Sequence, residues 1–111
     1  MKAANLDRTE RGYRSYALDS PLASAESYLD VKEMTSVPAT QSRNFTPLGI
    51  VIGQDKDDAT SSTAVVQMTL WDDSGDHARP FRLACNVLHP LVPGKIWKSG
   101  TTATELILVG M

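Results

Sequence analysis

The stretch Thr63-Ala64-Val65-Val66-Gln67-Met68-Thr69-Leu70-Trp71 alternates with a period of two, and nothing else in the chain constrains the fold as tightly. Ala64, Val66, Met68 and Leu70 fall on one side and Val65, Gln67, Thr69 and Trp71 on the other, the pattern of a strand with one packed face. The same period places Phe81, Leu83 and Cys85 opposite Arg82, Ala84 and Asn86. Shorter apolar runs at residues 48–53, 96–97 and 106–109 add further strands. Turn chemistry separates them at residues 55–58, 72–76, 90–94 and 99–100. About five short strands punctuated in this way predict a mainly β domain, a small antiparallel sandwich or barrel, over residues 45–111.

Residues 1–44 read differently. Apolar side chains are sparse there, Pro21 and Pro38 interrupt the chain, and no period of two emerges. The expectation is a long extended N-terminal arm. A short helical turn is expected near residues 24–33, where Ser24 offers a cap but no apolar stripe supports a free helix. Tyr13, Tyr16, Leu18 and Tyr28 are the expected anchors of this arm, with Leu22 and Leu29 beside them. If only residues 45–111 pack, the core belongs to about 65 residues, a size at which a lone domain is marginal. Such a chain gains from oligomerisation or from docking on a larger surface.

Charge narrows the partners. With 11 Lys and Arg against 13 Asp and Glu, the formal net charge is −2, so no global field draws the chain to nucleic acid or anionic lipid. The excess of Lys2, Arg8, Arg11 and Arg14 over Asp7 and Glu10 is too small to alter that. No apolar run is long enough for a transmembrane helix or a signal peptide, so no membrane partner is expected and the chain is expected to stay in the compartment that made it. Cys85 has no second cysteine to pair with, which suits a reducing cytoplasm.

The candidate chemical motifs each fail on a missing part. Lys98-Ser99-Gly100 and Ser42-Arg43-Asn44 imitate two elements of the serine β-lactamases, but no Ser is followed three residues later by Lys, so nucleophile and base are absent. Gly94-Lys95 runs into Ile96 rather than a helix, which removes the phosphate cradle. Cys85, His77 and His89 are too few for structural zinc, and a strand would point Cys85 and His89 apart. Neither Asp55/Asp57/Asp58 nor Asp72/Asp73/Asp76 has the spacing or closing Glu of a calcium loop. No enzyme and no cofactor is expected. Trp97 between Lys95 and Lys98, with Trp71 at a strand end, is a thin version of a nucleic-acid stacking face. An aromatic content of 6% and net acidity argue against that, and Trp97 reads instead as the rim of a protein interface.

The stretch from His89 to Val109, and above all Gly100-Thr101-Thr102-Ala103-Thr104, resembles a family of short proteins of tailed phages and gene transfer agents known as head spike base proteins. Asn86-Val87, the loop from Leu91 to Pro93 and the closing run 106–109 occupy the family's order. Leu18-Asp19-Ser20-Pro21, then Arg43 ahead of the strand 48–53, provide a looser counterpart. The acidic stretch 55–62 is longer than the family's glycine-rich turn, and His89-Pro90 departs from its pattern. The resemblance implies a non-enzymatic virion structural protein, a head spike base or cement protein made in the host bacterial cytoplasm and placed on the capsid exterior. It also implies a homo-oligomer with the major capsid protein and a head fibre as partners; from the charge balance, nucleic acid is not an expected partner. A neck or tail structural protein, or a small soluble β-barrel binding module for a ligand or single-stranded nucleic acid, are the other readings.

Overall fold

The computed structural model describes residues 14–36, 45–73, 75 and 77–111. Its central strand, β5 (Thr63–Leu70), realises the alternation: Ala64, Val66 and Met68 are fully buried, and Thr63, Val65 and Gln67 are half-buried on the other face. The alternation ends one residue early, so Leu70 does not share the deep face as the pattern predicts. Pairing slips between Thr69 opposite Lys95 and Leu70 opposite Pro93, which leaves Gly94 without a partner. A Cβ on Gly94 would stand 3.2 Å from the Leu70 carbonyl oxygen, so a larger residue would fit there only if the slipped strands moved apart by a few tenths of an ångström.

Four strands build the larger sheet. β5 pairs on one side with β6 (Arg79–Ala84) and on the other with β7 (Pro93–Trp97), which pairs in turn with β2 (Tyr28–Asp30). The second sheet places β9 (Ile107–Gly110) between β1 (Arg14–Ala17) and β3 (Pro47–Val51). A two-stranded pair, β4 (Gln54–Asp55) and β8 (Ala103–Thr104), completes the described sheets, and every pairing is antiparallel. The result is mainly β and sandwich-like, as the periodicity predicts. Leu18, Ile50, Ile52, Val66, Met68, Ile96, Leu106 and Leu108 fill its core with almost no exposure. Each such side chain contributes about 1.5–3 kcal/mol relative to an exposed position.

The expected boundary between an arm and a β-domain at residue 45 does not divide the described structure. Residues 14–36 supply β1 to one sheet and β2 to the other, and Leu18, Leu22, Leu29 and Val31 belong to the common core. The helical content also lies elsewhere than residues 24–33: α1 is Asp19–Ser24 and α2 is Val31–Met34, with extended β2 between them. Asp30, not Ser24, caps a helix, its side chain accepting the Glu33 N–H at 3.1 Å. Four elements of three to six residues each change the period before any repeat accumulates, which is why the segment shows none.

One carboxylate ties this segment to the end of the chain. Asp19 accepts the backbone N–H of Glu105 at 2.8 Å and of Leu106 at 3.0 Å, while the Leu18 N–H donates to the Leu106 carbonyl at 2.9 Å. Glu105 has a φ of 58°, a conformation disfavoured for a side-chain-bearing residue, and the Asp19 clamp fixes it there. Asp19→Ala is expected to cost about 1–3 kcal/mol by leaving both donors without their ionic acceptor. Leu18→Ala is expected to cost about 2–5 kcal/mol through its cavity. Urea unfolding reads both as a lowered midpoint with an unchanged slope; a neutral Leu18→Ala would mean that residues 14–36 do not share the core.

Candidate functional site

The segment from Lys95 to Thr104 holds the Lys-Ser-Gly imitation and the resemblance at residues 100–104, and its three threonines and Lys98 are committed to the fold. β7 leaves β5 after Met68, so the edge of β5 from Val65 to Gln67 needs other partners. Thr101 and Thr102 supply them. The Thr101 hydroxyl accepts the Gln67 N–H at 2.9 Å and donates to the Trp97 carbonyl at 2.6 Å. The Thr102 hydroxyl accepts the Val65 N–H at 3.0 Å and donates to Asp55 Oδ2 at 3.1 Å, and the Thr102 N–H donates to the Val65 carbonyl at 2.8 Å.

Around these two residues, Gly100 makes the turn with a φ of 91°, Ala103 packs into the core, and the Thr104 hydroxyl donates to the Gln54 carbonyl at 3.1 Å. Lys98 caps α1, its Nζ donating to the Ala23 and Ala25 carbonyls at 3.1 and 2.9 Å. Lys-Ser-Gly-Thr-Thr-Ala-Thr is therefore a splice between strands. Replacing Thr101 or Thr102 with Val is expected to cost about 1–3 kcal/mol each, because a β5 N–H loses its acceptor. Amide exchange should accelerate at Gln67 in Thr101→Val and at Val65 in Thr102→Val; unchanged protection would remove the hydroxyls from this role.

The acidic and sulfur- or nitrogen-bearing candidates are dispersed. Asp55 Oδ1 accepts the N–H groups of Asp57 and Asp58 at 2.7 and 3.2 Å, and Asp58 Oδ1 accepts the Thr60 hydroxyl and N–H at 2.6 and 3.0 Å. These are turn bonds. The Thr60 hydroxyl, and then its N–H, hold the Asp58 carboxyl below the ordinary aspartate range. A carboxyl lowered in the fold stabilises it at pH values above its unfolded pKa and loses that contribution as pH falls through the folded one. Thermal unfolding of Asp58→Asn is accordingly expected to show a shallower acid limb than the parent chain. The Cys85 thiol faces the Ser61 carbonyl at 3.9 Å and His89 Nε2 lies 2.8 Å from the Ala84 carbonyl. Among the described residues no three His, Cys, Asp or Glu side chains are grouped to hold a metal ion, and no helix is long and apolar enough to cross a membrane.

Of the two tryptophans read as a stacking face, Trp97 meets Tyr28 on the outer face of the four-stranded sheet, and Trp71 lies apart under Lys32. Tyr28 and Trp97, paired across β2 and β7, stack with centroids 4.6 Å apart, and Trp97 Nε1 donates to the Thr69 hydroxyl at 3.1 Å. Lys95 Nζ lies 4.7 Å from the Tyr28 ring centroid and Lys32 Nζ 5.3 Å from that of Trp71. An open groove of about 330 Å³ runs between the two lysines, with Asp30, Glu33 and Asp73 also on its walls. Tyr28 and Trp71 each already carry an ammonium group, which leaves less of either ring face open to a base or sugar.

The expected arm anchors divide. Leu18 is wholly inside its own chain, Tyr16 packs edge-on against Phe45 with centroids 4.9 Å apart, Tyr28 is 36% exposed, and Tyr13 lies outside the described residues. The surface that sequence reasoning missed is the outer face of the three-stranded sheet. Tyr16, Leu108 and Ile50 point into the core, so their alternates Ala17, Ile107, Val109 and Val51 point out. Ile107 is 38% and Leu88 51% exposed, and Leu88 lies over Gly49 on the same face. The signal was present in residues 106–109, an unbroken aliphatic run in a strand whose alternate side chains must face opposite ways. Compared with protein-family models, with curated proteins and with solved structures, the chain matches none of them.

Proposed function

We propose that this chain is a non-enzymatic structural protein of a phage-like virion, a head spike base or cement protein. In this reading it decorates the capsid exterior as a homo-oligomer. Its partners are the major capsid protein below and a head fibre above. The observation that supports the reading is the apolar outer face of the three-stranded sheet, on which Ile107, Val109 and Val51 present aliphatic side chains away from their own core. A small domain that keeps such a face is suited to work among neighbours. The resemblance of residues 100–104 to the spike base proteins gives the neighbours their identity.

The open groove between Lys32 and Lys95 favours a second reading, a binding module for a ligand or a single-stranded nucleic acid. The two readings part in one experiment. Particles are purified from cells carrying the gene, their capsids and tails are separated, and the chain is quantified in each fraction. The expected result is a fixed ratio to the major capsid protein in tail-free capsids. Recovery in the tail fraction moves the protein to the neck or tail. Absence from particles, together with salt-sensitive oligonucleotide binding that Trp97→Ala abolishes, replaces the virion reading with the binding module.

A further inference from the structure

The edge of a sheet presents N–H and C=O groups that another strand can take up, so each edge is either guarded or open to a partner. Two edges here carry a guard. Along β6, Pro80 has no N–H to offer, and His89 Nε2 lies 2.8 Å from the outward Ala84 carbonyl. Along β3, Ile50 exchanges both of its backbone bonds with His89 at 2.9 Å. The edge of β1 adjoins residues outside the described structure. Against the edge of β2, no described strand, proline or ring is placed.

The phase of the pairing says which groups that edge offers. The Lys98 N–H donates to the Ser27 carbonyl at 3.0 Å, one position before Tyr28 stands opposite Trp97. Bonds in an antiparallel pair fall on alternate residues, so Ser27 and Leu29 bond to β7. The N–H and C=O of Tyr28 and the N–H of Asp30 therefore point away from it. They open onto a groove of about 530 Å³ beside the C-terminal end of α1 and one side of α2. Pro21 and Met34 contribute its apolar lining. Glu26, Asp30 and Glu33 stand on its walls, and no Lys or Arg is among its described lining residues.

We propose that this edge docks a short, extended, basic segment of a partner protein, which joins β2 as a fifth strand of the four-stranded sheet. The inference goes beyond the proposed function and does not rest on it, because the edge is the same on a capsid subunit and on a binding module. Main-chain pairing supplies the affinity. A partner residue opposite Tyr28 exchanges two bonds with it, and the partner residue opposite Asp30 accepts a third. Charge selects the occupant. The same edge of a second copy would set its own Glu26, Asp30 and Glu33 against these carboxylates, and a nucleic acid would set phosphates against them. Lys95 already stands opposite Asp30 on β7, which leaves Glu26 and Glu33 to set the preference for Lys and Arg. Cross-strand neighbours stand about 4.5–5.5 Å apart, so a partner side chain opposite Tyr28 lies against the Tyr28–Trp97 stack, and an apolar one fits best there.

The test titrates the isotope-labelled full chain with a short peptide of alternating Lys and Val, followed by amide NMR. Saturable shifts centred on Tyr28 and Asp30, with slowed amide exchange at both, are expected. The matching peptide of alternating Glu and Val is expected not to bind. N-methylation of the central peptide bonds keeps the charge and removes the main-chain bonds, and is expected to weaken binding about tenfold or more. Glu26→Lys combined with Glu33→Lys is expected to do the same, while Asp57→Lys, on the distant turn after β4, leaves binding unchanged. Circular dichroism melts establish that each variant is folded, and Glu26→Lys alone stands in for the pair if the pair is not. No binding of the Lys and Val peptide overturns the site. So does equal binding of the N-methylated peptide, which would reduce the contact to charge, or binding that ignores the glutamate variants. Shifts at Tyr28 and Asp30 that grow with protein concentration alone assign the edge to a second copy and overturn the choice of partner. None of these outcomes depends on the capsid fractions, so this site and the virion reading fail separately.

Discussion

The whole fold depends on how the second edge of β5 is completed. A strand of eight residues in the middle of a sheet must pair on both sides, yet β7 accompanies it only over Met68, Thr69 and Leu70. Two buried-side N–H groups, those of Val65 and Gln67, would otherwise lack acceptors in a part of the molecule where Val66 and Ala64 exclude water. Thr101 and Thr102 meet this need with side chains as well as backbone. Because their backbone then runs past β5 into β8 and turns at Glu105, the same stretch determines where β9 begins, and β9 is the strand on which the second sheet is assembled. The loop that reads as a motif is the joint between the two sheets.

That joint explains which parts were legible from residues alone. β5 and β6 were legible because a sheet with one wet face writes its geometry as alternation, and Thr63 to Met68 obey it without interruption. Residues 14–36 were not, because β1, α1, β2 and α2 are each too short to display a period, and the bonds that seat them come from far away. Asp19 finds its partners at Glu105 and Leu106, and Lys98 finds its own at Ala23 and Ala25. Pairings across more than seventy residues leave no local trace, so a segment fully woven into both sheets resembles an arm. The slip at Gly94 was equally hidden, since a bulge is a property of two strands and not of either one.

The interface candidates follow the same logic in reverse. Leu18 looked like an anchor for a foreign surface because it stands among polar residues, but isolation in sequence says nothing about where an apolar side chain is buried. Its place in the structure is the core of its own chain. Ile107 and Val109 drew no notice because they sit in an aliphatic run that reads as core throughout. In a strand, however, a run of four aliphatics has two faces, and only Leu106 and Leu108 can point inward together. An unbroken apolar strand in a sheet with no helix over it among the described residues is thus a stronger pointer to a contact than a scattered aromatic.

The contrast between the two outer faces bears on why so small a domain carries both. On the mixed-charge face, Tyr28, Trp97 and Lys95 pair with one another and leave little unpaired apolar surface between them. An aliphatic face of a few hundred square ångströms, by comparison, lies within the range that soluble monomers tolerate without precipitating. It is also too small to hold a dimer at cellular dilution on its own. Taken together, these two limits bound the face: it is small enough not to force aggregation and too small to hold a partner unaided. The three strands β1, β9 and β3, each contributing only one or two small aliphatic side chains outward, keep the face between those bounds.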